Sequence, residues 1–154
     1  MATRCFSCKG TDFAAGKHED RLELGGHKFT RSVPTRRCKR CGEEMIQGQD
    51  VEGFELDVAA EFARHGQLPA DAFRHMRRVL GLKATELAEL LDVTPETISR
   101  WENEKQSMDR RAAALLSAMV LDKLEGRTST LDRLKALMKP SRLPRLVRLV
   151  PRQA

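Results

Sequence analysis

The chain has 154 residues, 40% of them hydrophobic and 32% charged, with 28 Lys/Arg against 22 Asp/Glu and a formal net charge of +6. No run of about 18 apolar residues occurs, which argues against a membrane-spanning helix, and the first ten residues lack the apolar stretch of a secretory signal. A cytoplasmic, reducing setting is the expectation, with polyanions favoured as partners over membranes.

The charge is unevenly placed. Residues 1–48 carry ten Lys/Arg against six Asp/Glu, residues 49–68 one against five, residues 69–138 twelve against eleven, and residues 139–154 five against none. The first 48 residues hold few of the apolar anchors Leu, Ile and Phe, too few for an ordinary core. Something other than burial must hold them together.

All four cysteines fall in this stretch, as two CxxC pairs, Cys5/Cys8 and Cys38/Cys41. A two-residue gap on a turn brings two thiolates to one edge of a tetrahedron, and a second such turn completes the four soft ligands that zinc prefers. Disulfides are disfavoured in a reducing setting, and a thioredoxin-type site needs only one CxxC in a βαβ context that these Gly-rich, basic flanks do not resemble. With four thiolates no coordination position stays open for water, so the zinc, one per chain, reads as structural. The H-x-E of zinc deaminases is missing. His18 and His27 lie between the pairs as substitute ligands, a lesser reading than solvated or packed side chains. An enzyme is not expected. Structural zinc contributes about 10 to 16 kcal/mol in finger peptides, comparable with the stability of a small domain.

Between the pairs, Leu22, Leu24, Phe29 and Val33 alternate with polar residues, predicting two short strands over residues 17–37 that meet near Gly25-Gly26. Val51, Phe54, Val58 and Phe62 then recur at helical spacing among five acids, predicting an acidic amphipathic helix that ends near Gly66. Gln67-Leu68-Pro69 reads as a hinge. The chain thus divides into a zinc-binding module (1–48), an acidic helix and linker (49–68), a helical DNA-binding domain (69–138) and a basic tail (139–154).

The helical signal sharpens from Asp71. Phe73, Met76, Val79 and Leu80 form one helical face that stops at Gly81-Leu82; Glu86 to Leu91 form a second short helix; and Asp92-Val93 turns the chain into Thr94-Pro95-Glu96-Thr97-Ile98-Ser99-Arg100-Trp101. Thr94 is a natural N-cap, Pro95 suits the first helical position, and Glu96 favours the positive end of the dipole.

These residues resemble the Xre/Cro-type helix-turn-helix family in Arg77-x-x-Leu80-Gly81-Leu82, Glu86-Leu87-Ala88-x-Leu90 and Thr97-Ile98-Ser99-Arg100-Trp101-Glu102. In that family the third helix enters the major groove, so the resemblance implies a groove face of Thr94, Pro95, Glu96, Thr97 and Arg100, with Leu87, Ala88, Val93, Ile98 and Trp101 inward. Arg100 can fork onto guanine or contact phosphate, and Glu96 can accept from cytosine or simply cap. Arg77 and Glu102 match a partly buried ion pair of the family. Three positions depart from its pattern: Asp92 and Glu104 stand where Gly is frequent, and Lys83 replaces the Ser/Thr cap of the second helix. A lysine at a helix N-terminus points to a phosphate neighbour, which adds Lys83 to the DNA-binding set.

The order of modules is similar to the MqsA family of antitoxins, with its YgiT-type zinc finger. That resemblance implies a homodimer that binds operator DNA through its C-terminal domain, represses its own operon and sequesters a toxin of the ribonuclease class through the zinc module. The alternative is a stand-alone Xre-family regulator with a structural zinc ribbon. Residues 112–124 and 131–138 predict two further amphipathic helices, suited to completing the core or a dimer. The tail alternates Arg142, Arg145 and Arg148 with Leu and Val between prolines, and suits a DNA arm, a partner segment or disorder. The expected architecture is a small zinc-bound α/β N-terminal module followed by an all-α Xre/Cro-like domain.

Overall fold

A computed structural model describes residues 4–66, 68–127 and 129–138. The tail with Arg142, Arg145 and Arg148 lies outside the described residues. The chain begins with a three-stranded antiparallel sheet, β1 (Phe13–Leu24), β2 (His27–Cys38) and β3 (Glu44–Met45), in the order β1-β2-β3. Among the described residues six helices follow: α1 (Gly48–His65), α2 (Ala70–Val79), α3 (Ala84–Leu91), α4 (Pro95–Glu102), α5 (Arg110–Leu124) and α6 (Ser129–Leu137). No helix among the described residues is long and apolar enough to cross a membrane. The expected order, a small cysteine-bearing α/β module followed by an all-α domain, is consistent with what is observed, the cysteines lying with the three-stranded sheet ahead of the helices.

The hairpin turns at Gly25 and Gly26, with φ of 57° and 76°. Positive φ at both central residues of a two-residue loop matches the right-handed twist of the flanking strands. From Leu24 opposite His27 the register runs without a break to Phe13 opposite Cys38. The strands are therefore longer than residues 17–37, and β3 is an addition, pairing Met45 with Arg36 and Glu44 with Arg37. Apolar alternation could not reveal this extension, because the added pairs are held by ladder hydrogen bonds and by Arg36 lying 4.3 Å over the Phe13 ring.

α1 ends at Gly66, whose φ of 65° lets its N–H close onto the Phe62 carbonyl at 3.1 Å. Its buried face, Phe54, Val58, Ala59 and Phe62, belongs to one core with Phe73, Met76, Leu87, Ile98, Leu116, Met119 and Val120. Of the expected apolar stripe, Val51 alone is exposed. α1 packs chiefly on α5 and α2. The acidic segment is a core helix as well as a connection.

The ribbon docks on α1 through its closed end. Leu22, Leu24 and Phe29 pack against the helical core, with the Phe29 and Phe62 rings 5.5 Å apart and His27 edge-on to Phe62 at 6.0 Å. Arg31 lies 5.2 Å over the Phe54 ring, pairs with Asp57 at 2.9 Å and donates to the Asp50 carbonyl. From this docked end, twelve-residue strands at about 3.4 Å per residue carry the cysteines roughly 40 Å along the ribbon.

Candidate metal centre and nucleic-acid interface

The first CxxC precedes β1 and the second follows β2, so strand pairing brings the two turns together at the open end of the hairpin. The turns repeat each other. Lys9 N–H donates to the Cys5 carbonyl at 3.0 Å and Gly42 N–H to the Cys38 carbonyl at 2.9 Å, while Cys5 and Cys38 N–H donate to Gly10 and Glu43 carbonyls at 2.8 Å. Each turn needs a left-handed residue after its second cysteine, Lys9 at φ 61° and Gly42 at φ 79°. Gly10 supplies clearance, since a Cβ there would lie 3.2 Å from Cys8 Sγ and 3.4 Å from Cys38 Sγ.

The four sulfurs lie within 4.8 Å of one another, with Cys5 to Cys41 at 3.6 Å and Cys8 to Cys38 at 3.5 Å. These separations are too long for disulfides, and all four cysteines are free thiols. They fit the edges of a metal tetrahedron, about 3.8 Å for sulfur ligands at about 2.3 Å from zinc. Cys5 and Cys38 are buried, Cys8 is half-buried and Cys41 is exposed. His18 faces Val33 across the ribbon, five residue pairs from Cys38, and His27 sits at the docked end. Neither joins the cluster.

The four thiols do not ionise alike. The Cys41 backbone N–H, opposed by burial and helped by the Arg40 N–H and the Cys8 and Cys41 side chains, pulls Cys38 from 9.0 down to about 7. At Cys41 the Glu43 backbone N–H lowers the thiol, but the Cys8 sulfur, burial and the Cys5 and Cys38 sulfurs outweigh it and push it up to about 12. One sulfur ionises readily and another resists, because the Cys41 thiol proton is shared with the neighbouring sulfurs and burial disfavours its charge. A bound dication removes that conflict and would let all four ionise.

The second surface is built on α3, its turn and α4. Thr94 Oγ1 accepts the Thr97 N–H at 3.2 Å, and Pro95 takes the first helical position. Thr94, Pro95, Glu96, Ser99 and Arg100 are exposed and Thr97 is half-buried, whereas Ile98 and Trp101 are buried on the opposite side. Trp101 meets Phe73 at 6.0 Å with perpendicular rings. Ser99 belongs to the outer face too; it was legible from its spacing to Glu96 and Arg100 but lies between the motif's named contacts.

Asp92 and Glu104 bracket α4 in left-handed backbone, at φ 54° and 57°. Both occupy positions where the helix-turn-helix pattern has glycine, and both keep its geometry. Asp92 ends α3, and the Val93 N–H reaches the Ala88 carbonyl at 3.0 Å; beyond α4 the Lys105 N–H reaches the Arg100 carbonyl at 2.9 Å. At the start of α3, Glu86 accepts the Lys83 backbone N–H at 2.7 Å. Lysine has no lone pair with which to cap, so the acid three residues on does half of a capping box. The Lys83 side chain is left exposed.

Arg77 grips Glu102 with two nitrogens, Nε to Oε1 at 2.6 Å and Nη2 to Oε2 at 3.1 Å, and donates to the Leu82 carbonyl at 2.8 Å. Arg74 adds a second guanidinium, donating to Glu102 Oε2 at 3.2 Å and to its carbonyl at 2.9 Å. No motif marked Arg74, although it sits one helical turn before Arg77. Together they tie α2 to the end of α4 and fix the angle at which the outer face is presented.

Residues 74–118 match the helix-turn-helix family model. The chain carries a helix-turn-helix domain. It is of the Xre type and supports DNA binding, and the match runs from within α2 through α3 and α4 to more than half of α5. No curated protein matches the chain.

Proposed function

We propose that this protein is a non-enzymatic transcriptional repressor that binds operator DNA as a homodimer, and that it serves as the antitoxin of a type II toxin-antitoxin system. The observation that carries the DNA-binding reading is the exposed row Glu96, Ser99 and Arg100 on α4, backed by buried Ile98 and Trp101 within the helix-turn-helix domain. Such a helix can lie in a major groove with Arg100 aimed at base edges, Thr94 and Thr97 near the backbone, and Lys83 at a phosphate. A two-fold dimer would place two copies one helical turn apart on a palindromic site.

Cys5, Cys8, Cys38 and Cys41 would hold one zinc ion, whose contribution is to fold the module rather than to react. The antitoxin role is supported by module order, a four-cysteine ribbon ahead of a helix-turn-helix as in the MqsA-type antitoxins that the chain resembles. The zinc module would capture the toxin and the helix-turn-helix would bind the operator. Selection from random DNA duplexes should recover a palindromic site, and the gene should adjoin a small open reading frame whose co-expressed product co-purifies as a ribonuclease with its toxicity suppressed. Failure to enrich any sequence would overturn the first part. Binding of an operator without capture of the neighbouring product would leave a stand-alone regulator.

A further inference from the structure

The cysteine end of the ribbon combines two features that folding does not require. Phe6 is 71% exposed, the one aromatic among the exposed large hydrophobics of the described residues. It occupies the first position between cysteines of its CxxC, where the second turn carries Lys39. Within two residues of a cysteine lie Arg4, Lys9, Arg36, Arg37, Lys39 and Arg40, against the single acid Glu43. Four thiolates around one dication carry a net two negative charges, so these six cations still leave a local excess of three.

Several of these cations belong to the two cysteine turns themselves. Lys9 donates from Nζ to the Phe6 carbonyl at 3.2 Å. Arg40 of the second turn faces the first, its Cβ 3.5 Å from where a Gly10 Cβ would be. Lys39 is engaged by Asp12 at 3.1 Å, and Arg36 lies over Phe13. Arg4, Arg37 and Arg40 are exposed and make no ion pair among the described residues.

We propose that this end is a second nucleic-acid site, for single-stranded DNA or RNA, distinct from the duplex-binding surface on α4. Phe6 is the stacking platform for an unpaired base, and Arg4, Lys9, Arg37 and Arg40 neutralise the flanking phosphates. A single exposed ring cannot reach a base face inside a stacked duplex, whereas unpaired bases offer one at every position. An acidic protein surface would satisfy the cations but leave the ring without a partner suited to its flat, accessible face.

The test uses the full-length zinc-loaded protein and fluorescence anisotropy with two labelled probes, oligo-dT and oligo-U of about ten nucleotides, within the ~4–16 nucleotide site sizes of single-strand binders. Both should bind, and a preference for oligo-U would identify RNA as the source, a preference for oligo-dT DNA. Phe6→Ala should weaken binding by between about fivefold and a hundredfold, with Phe6→Trp restoring it. Arg4→Gln and Arg40→Gln should each lower the salt slope by about 0.7. Zinc content and circular dichroism confirm that the variants stay folded, as expected for so exposed a ring. Arg100→Ala should leave single-strand binding unchanged while impairing duplex binding. Absence of binding at low salt, indifference to Phe6→Ala, or equal loss in Arg100→Ala would each overturn the proposal, the last by placing the single strand on α4.

Discussion

The backbone N–H of Gly25 donates to Asp71 Oδ2 at 2.7 Å, joining the tip of the ribbon to the first turn of α2 across 46 residues. The contact depends on glycine. A Cβ at this position would lie 2.7 Å from Pro69 Cγ and 2.9 Å from the Phe62 ring, on a backbone with φ of +57°. Gly25→Ala should therefore cost about 2 kcal/mol or more in urea unfolding, from strain and overpacking together. Asp71→Asn should cost less, because its side-chain carbonyl can still accept. A Gly25→Ala protein as stable as the parent would mean that the ribbon is not anchored here.

Glu102 presents a side chain only 7% exposed to two guanidinium groups. Removing the shared acid would leave Arg77 largely buried without its partner, so Glu102→Ala should destabilise the helical domain by about 3 kcal/mol. Arg74→Ala should be milder, since that side chain is 35% exposed. Thermal melts of the two variants side by side check the ranking, and an equal loss in both would refute it.

The metal prediction is one zinc per chain in protein purified without added metal. Cys38→Ser or a strong chelator should lower the stability of the ribbon while residues 69–124 keep their helical signal. In the metal-free chain Cys38 is lowered from 9.0 to about 7, so its contribution to stability is present above 9.0 and is lost as pH falls through about 7. Cys41 is raised to about 12 and contributes below 9.0, a contribution lost as pH rises through about 12. Stability of the metal-free ribbon should peak near pH 9, and Cys38→Ser should remove the acid limb.

Arg100 and Lys83 should differ in kind. Arg100→Ala should cost about 1 to 3 kcal/mol on the preferred operator and flatten discrimination at one base pair. Lys83→Ala should weaken all duplexes alike and lower the salt slope by about one unit. Uniform weakening by Arg100→Ala would make it a phosphate contact.

Because Phe54, Val58 and Phe62 sit in the core with Leu116 and Met119, a chain beginning at Leu68 should lose the cooperative fold of its helical domain. One beginning at Gly48 should keep the fold and bind duplex DNA without the ribbon. Circular dichroism with a DNA-binding assay compares them, and a stable, DNA-binding Leu68 chain would show α1 to be dispensable.

Local chemistry made much of this protein readable from its residues alone. The paired cysteines, the Gly25-Gly26 turn and Thr94-Pro95 at the start of α4 follow from spacing and caps within a few residues, while the ion pair between Arg77 and Glu102 and the inward Ile98 and Trp101 were implied by the resemblance to the helix-turn-helix pattern. Asp92 and Glu104 were visible too as departures at positions where glycine is frequent in the family, though the left-handed backbone at Glu104 came from the structure. What only the tertiary structure decided were contacts between segments far apart in sequence. The extension of β1 and β2 to Phe13 and Cys38 depends on register set at the other end of the ribbon. The place of α1 in the helical core depends on α5, some fifty residues later. Arg74 joining Glu102, and Arg40 facing Gly10 across the two cysteine turns, depend on helices and turns meeting at fixed angles. Periodicity states that a face is apolar or that a turn can bind metal; which other face it meets is settled by the packing of the whole chain.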